Sequence, residues 1–182
     1  MSSTIRIRAL AAFFAVTTGA LLITAGPAQA TGSARAGFGD EACWLNVDTS
    51  ILQCFDDEDA MSEAIVEQTG TALADPEAGF ASRSSAGTLA ATLLVRFYAD
   101  PNYLGDVLTI TSASSTICTT GGGLNQDLAG VWNNRVSSFK SYNSCSTRVY
   151  ENVSQGGAWF GFSVNAPGVG ALDNAASSFR AQ

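Results

Sequence analysis

The chain contains no histidine. That absence excludes a Ser-His-Asp triad, a Cys-His pair, an imidazole metal ligand and a charge switch near neutral pH. Basic residues are scarce as well: 9 Lys and Arg stand against 16 Asp and Glu in 182 residues. A nucleic-acid binder normally shows a basic face, and this composition argues against one. The length allows one ordinary domain, or one small domain with an appendage. What is left is a small acidic protein whose chemistry would use oxygen ligands.

The first thirty residues follow a targeting pattern. Met1 to Arg8 is short and basic, residues 9–25 are apolar, and Ala28-Gln29-Ala30 follows Gly26-Pro27. A positive start, an apolar middle and an A-x-A end mark residues 1–30 as a signal peptide, cut after Ala30, and the mature protein as secreted (extracellular). A membrane anchor is the weaker reading, because the apolar run is only about long enough to span and no cationic flank follows it. Removing Arg6 and Arg8 leaves 7 basic residues against 16 acidic ones, a net −9.

Export places Cys43, Cys54, Cys118 and Cys145 in an oxidising setting, so two disulfides are expected. Four cysteines allow three connectivities, of which the spacing favours the near-neighbour one, Cys43–Cys54 and Cys118–Cys145. A zinc site would need closer spacing, and a catalytic thiol would need a basic partner.

Charge divides the mature chain. Residues 40–77 hold eleven of the sixteen acids and no base, whereas residues 78–182 hold six bases and five acids. The acidic zone reads as a small β-β-α unit over 40–70. Residues 43–47 and 51–55 are short strands about an Asp-Thr-Ser turn, and a Cys43–Cys54 bond would staple them. A helix is expected over about 57–69, capped by Asp56 or Asp57, with Ala60, Met61, Ala64 and Ile65 as its apolar stripe and Gly70 at its end. The run Asp56-Asp57-Glu58-Asp59 lacks the alternating spacing of a calcium loop and reads as a capped helix start. Residues 71–89, rich in Gly, Ala and Ser, read as a flexible linker.

Residues 90–182 contain a repeat. Positions 130–140 (GVWNNRVSSFK) align without a gap with 170–180 (GALDNAASSFR), Arg135 against Ala175 being the one mismatch in character. Before each copy lies a strand end and a turn that reaches a glycine seven residues after a tyrosine, from Tyr98 to Gly105 and from Tyr150 to Gly157. Each copy thus reads as strand, folded hairpin, strand, motif loop and strand, an all-β Greek-key pattern.

The pairing of Y-x-x-x-x-aromatic-x-G with [ND]-[ND]-x-x-[ST]-S resembles the signature of the βγ-crystallin family. The six-residue motif occurs twice, as Asn133-Asn134-Arg135-Val136-Ser137-Ser138 and Asp173-Asn174-Ala175-Ala176-Ser177-Ser178. The resemblance covers about half of the chain. It departs at the hairpin aromatic, which is Tyr103 in the first copy and Gln155 in the second. It implies an all-β fold class: two Greek-key motifs forming one βγ-crystallin-like sandwich over 90–182, preceded by the small disulfide-stapled β-β-α unit.

The resemblance also implies calcium, with two Ca2+ ions expected. Calcium takes six to eight oxygens and accepts neutral ones. Each ion would sit between the motif loop of one copy and the hairpin of the other. The hydroxyls of Ser137 and Ser177 and the carbonyls of Arg135 and Ala175 would ligate, with residue identity at this third position mattering little. Glu151 would serve the first-motif site and Ala99 the second, with Asp100 and Asn152 adding side-chain oxygen. Asn133, Asn134, Asp173 and Asn174 would ligate or shape the loops. Few formal charges surround either site, so weak affinity is expected, on the order of micromolar to sub-millimolar. Ser137→Arg is expected to remove one site and leave the fold intact. The bland alternative is that these Asn and Ser residues only cap turns.

Phe97, Trp132, Phe139, Trp159, Phe160, Phe162 and Phe179 read as core rather than as a sugar-binding platform. The functional reading is therefore a secreted calcium-binding structural or interaction protein, monomeric, without membrane or nucleic-acid partners. A second class is open, because the resemblance extends to a family of bacterial metalloproteinase inhibitors. Such an inhibitor would use a rigid loop, for which residues 112–123, pinned by Cys118, are the candidate. An enzyme is not expected: Asp100 and Asp106 could form a carboxylate pair, but nothing converges on them.

Overall fold

The computed structural model describes residues 41–73, 91–120 and 122–182. The signal peptide expected over 1–30, and the linker expected over 71–89 beyond residue 73, lie outside the described residues.

The acidic zone forms the expected elements. Strands β1 (Ala42–Asn46) and β2 (Ile51–Phe55) pair antiparallel, with Cys43 opposite Cys54, and a disulfide joins these two residues. Helix α1 spans Glu58–Thr69. The Asp57 side chain accepts from the Ala60 N–H at 2.8 Å, satisfying one of the helix's free donors. Glycine 70 ends the helix with φ 71°, and its N–H donates to the Val66 carbonyl. Met61 and Ile65 face inward and are fully buried.

The two sequence copies give eight further strands. The first copy supplies β3 (Thr92–Asp100), β4 (Leu104–Ser112), β5 (Leu124–Asp127) and β6 (Ser138–Ser141). The second supplies β7 (Thr147–Asn152), β8 (Gly156–Ser163), β9 (Asn165–Ala166) and β10 (Ser178–Ala181). The strands form two sheets, in the orders β2-β1-β4-β3-β6-β9 and β5-β10-β7-β8. Each copy lends its third strand to the other copy's sheet: β5 pairs with β10, and β9 with β6. These are two interlocked Greek keys in one sandwich, with the disulfide-stapled β-β-α segment before them. The second bridge is Cys118–Cys145.

Three features were not legible in the sequence. Strands β5 and β9 are short and carry no alternation that marks them. Strand β1 adds in parallel to β4, with Cys43 opposite Leu108, so the N-terminal segment extends the first sheet. The first residues after α1 also pack down, with Thr71 and Leu73 buried.

The core between the sheets holds Phe97, Trp132, Phe139 and Phe179, all fully buried as expected. Phe160 packs against that cluster half-buried. The core assignment fails for Trp159, which is 57% exposed on β8. Its ring and that of half-buried Phe162 instead lie against Arg148, whose guanidinium carbon is 4.0 and 4.2 Å from the two ring centroids. A second apolar cluster, on the outer face of the first sheet, joins Met61 and Ile65 of α1 with Trp44, Leu93, Tyr98 and Val107.

Candidate metal centre

The two hairpins have one backbone shape. Asn102, Tyr103 and Gly105 have φ of 60°, 66° and 75°, and Ser154, Gln155 and Gly157 have 55°, 61° and 75°. Each glycine is needed twice over: its φ is left-handed, and a Cβ on either would lie 2.6 Å from Asp100 Oδ2 or Asn152 Nδ2. The last serine of each motif staples the hairpin of its own copy. Ser138 Oγ donates to the Asp100 carbonyl at 2.6 Å and accepts from the Tyr103 N–H at 3.0 Å. Ser178 Oγ donates to the Asn152 carbonyl at 2.6 Å and accepts from the Gln155 N–H at 3.0 Å. Tyr103 also meets Tyr98 edge-on, at 5.7 Å between centroids. Gln155 makes no such ring pair, yet its hairpin keeps the same angles, because the serine staple sets the shape.

Both staple serines are fully buried. Ser138→Ala and Ser178→Ala are therefore expected to cost about 1–3 kcal/mol each, since each loses two part-buried hydrogen bonds at about 0.5–1.5 kcal/mol apiece. Urea unfolding of the two variants checks this. A loss below about 0.5 kcal/mol in both would reject the staple.

The motif loops face each other about a pseudo-two-fold axis. The Asn134 N–H donates to the Ala176 carbonyl at 2.9 Å, and the Asn174 N–H to the Val136 carbonyl at 3.1 Å. Asn134 and Asn174 have φ of 59° and 54°, a region that asparagine tolerates better than most residues. The second position of the motif thus has a backbone reason to be Asn, apart from any ligand role.

Placement of the remaining candidates follows from the strands. The Ser137 N–H donates to the Tyr98 carbonyl at 2.9 Å, which sets Ala99 and Asp100 beside the first motif. The Ser177 N–H donates to the Tyr150 carbonyl at 2.8 Å, which sets Glu151 and Asn152 beside the second. Between the copies, each motif touches the other motif and also the segment ahead of it, the Val169 N–H donating to the Ser137 carbonyl at 3.0 Å and the Leu128 N–H to the Ser177 carbonyl at 2.9 Å. Ser177 Oγ donates to Asn134 Oδ1 at 3.1 Å, joining the fifth position of one motif to the second position of the other. Its counterpart Ser137 Oγ is buried and has no hydrogen-bond partner among the described residues. Asn133 and Asp173 are exposed, and Asn174 Nδ2 lies 3.4 Å from Asp173 Oδ1. Ser137 itself is only 1% exposed, so an arginine there would overpack the loop, and Ser137→Ala is the substitution the fold accepts.

Arg135 and Ala175, at the third position, differ in surroundings. Arg135 forms ion pairs with Asp106 and with Glu41 Oε2, the latter at 3.5 Å. Asp106 also accepts from the Glu41 N–H at 3.0 Å. The sequence reading missed this link between the first motif and the segment before β1. The available signal was Arg135 itself, the one mismatch in the repeat. The link occupies Asp106, while Asp100 folds over Gly105. One further group of potential ligands, Glu41 with Cys43 and Cys54, offers no thiolate, because the two sulfurs are bonded to each other.

No family model and no curated protein matches the chain. Solved structures do. A βγ-crystallin domain from Clostridium beijerinckii is 22% identical, with 48% of this chain and 95% of that one covered and a TM-score of 0.38. A βγ-crystallin domain from Flavobacterium johnsoniae is 22% identical, with 49% and 93% covered and a TM-score of 0.37. The N-terminal domain of Protein S is 21% identical, with 49% and 94% covered and a TM-score of 0.39. The structural neighbours of this chain include bacterial βγ-crystallin domains.

Proposed function

We propose that the chain is an exported calcium-binding protein of the βγ-crystallin type, with a structural or interaction role and two ion sites. One observation carries the reading: the Ser177 hydroxyl and the Asn134 amide oxygen, one from each motif, meet at 3.1 Å across the pseudo-two-fold axis. The residues also fit the ion. Among the described residues Ser137 Oγ is a buried oxygen without a partner, and such a group costs about 1–3 kcal/mol unless something satisfies it. Ser137, Ser177 and Asn134 would hold the ions by side-chain oxygens. Arg135, Ala175, Asn133, Asp173 and Asn174 belong to the joined loops themselves, while Ala99 with Asp100 and Glu151 with Asn152 directly follow Tyr98 and Tyr150, whose carbonyls accept from the Ser137 and Ser177 N–H groups. A bound ion would tie the two motif loops together and stabilise the native state by mass action.

Calorimetric titration and a melting series with Ca2+ test this. The expected result is heat of binding and a rise in stability of about 2.7 kcal/mol for each occupied site at a hundredfold excess over its Kd. Absence of both heat and shift sinks the reading.

A second reading, a secreted metalloproteinase inhibitor on the same scaffold, draws support from the exposed loop at 113–116. That loop is fixed on one side by Asp48, which accepts from the Ala113 N–H at 2.6 Å, and on the other by the Cys118–Cys145 bridge. Such preorganisation suits an inhibitor. Stoichiometric inhibition of a thermolysin-like protease would favour it. Full protease activity in excess protein would exclude it.

A further inference from the structure

The two sheets are related by the repeat, but among the described residues only the first has its outer face covered. Arg96 and Lys140 are cross-strand partners on β3 and β6, and Arg148 and Arg180 are the corresponding partners on β7 and β10. Over the first pair lies α1, whose Glu58 forms an ion pair with Arg96 at 3.2 Å, and the Arg96 side chain is only 8% exposed. Over the second pair lies no helix among the described residues: Arg148 has the Trp159 and Phe162 rings against it, and neither Arg148 nor Arg180 has an ion pair there. The neighbouring apolar position differs in the same way. Val107 on β4 is 4% exposed beneath the cluster that α1 completes, whereas its counterpart Trp159 on β8 is 57% exposed. The edges differ too: β4 carries β1, and β8 is a sheet edge.

We propose that the outer face of the second sheet, built from Arg148, Arg180, Trp159 and Phe162, is a docking surface for an acidic amphipathic helix of a partner protein. The covered sheet supplies the chemistry of the occupant. There a carboxylate in the first turn of a helix meets the arginine, and Met61 and Ile65, on the same helix face as that carboxylate, seal the apolar positions. Among the described residues the second face offers the same pieces without the cover: two guanidiniums without acidic partners, and an exposed indole beside them. Guanidiniums against aromatic rings are the groups over-represented where partners bind. Charge complementarity selects an acidic occupant.

The probe is a peptide copy of residues 56–70 with Glu63→Lys joined by a lactam to Glu67, which holds it helical on the face that α1 leaves exposed. The full mature protein carries 5-fluorotryptophan, and Trp159→Phe assigns its signal among the three tryptophans. The expected result is a saturable shift of the Trp159 resonance, at least about tenfold weaker in an Arg148→Gln/Arg180→Gln double variant and with a peptide whose four leading acids are amides. Three outcomes overturn the proposal. One is no Trp159 shift at millimolar peptide. Another is a shift that survives either set of neutralising changes. The third is a protein that dimerises alone through these arginines, which would make a second copy the occupant.

Discussion

Phe97→Ala is expected to lower the unfolding free energy by about 3–5 kcal/mol, the usual cost of emptying a fully buried phenylalanine site. The ring is fully buried and sits where the two Greek keys meet. It contacts Phe139 of its own sheet edge-on at 6.1 Å, and Phe179 of the other sheet at 4.9 Å. Removing it therefore opens a cavity shared by both copies, which neither can close by moving alone. At about 2–4 °C per kcal/mol for a chain of this size, the melting temperature should fall by roughly 6–20 °C. The comparison is Trp159→Ala, which deletes a larger ring but one that is 57% exposed. That variant should lose under about 1 kcal/mol, the worth of its stack on Arg148 and a little area. Melting curves of the two variants decide the matter, and equal losses would mean that the assignment of inside and outside is wrong.

The contrast shows where the sequence was readable. Phe139 and Phe179 hold the same place in two aligned copies, and the repeat required both to be core. The hairpins were readable for a similar reason, since glycine and a staple serine recur at fixed offsets and the backbone needs them. Trp159 carries no such constraint. An aromatic on an edge strand reads the same in sequence whether a cover exists or not, and the cover on the other sheet comes from α1, outside the repeat. The parallel addition of β1 to β4 was hidden because its partner lies over sixty residues away. Arg135 was misjudged because its motif position tolerates any residue by backbone logic, while its side chain answers to Asp106 and Glu41. Local pattern thus located the motif loops, and only tertiary contact showed that the motifs touch each other.

That contact separates the two reasons for asparagine at position 134. A left-handed φ of 59° explains the residue by turn chemistry alone, and glycine adopts that angle without strain. Asn134→Gly therefore keeps the turn and removes only Oδ1, the atom that receives the Ser177 hydroxyl. If the side chain serves the turn alone, the glycine variant should bind calcium as the parent does. If Oδ1 is one of the converging oxygens, a loss of about 1.5–3 kcal/mol is expected, the worth of a bond to a charged group. That is a ten- to hundredfold weaker site, read as a reduced calcium-dependent rise in melting temperature. Asn134→Ala is the companion: it lacks the same oxygen but adds about 1–2 kcal/mol of left-handed strain, so it should melt lower even without calcium. Two variants that bind alike but melt apart would place the calcium effect on the oxygen and the stability effect on the backbone. A glycine variant with parental affinity would return Asn134 to turn chemistry and take its Oδ1 out of the proposed ion site.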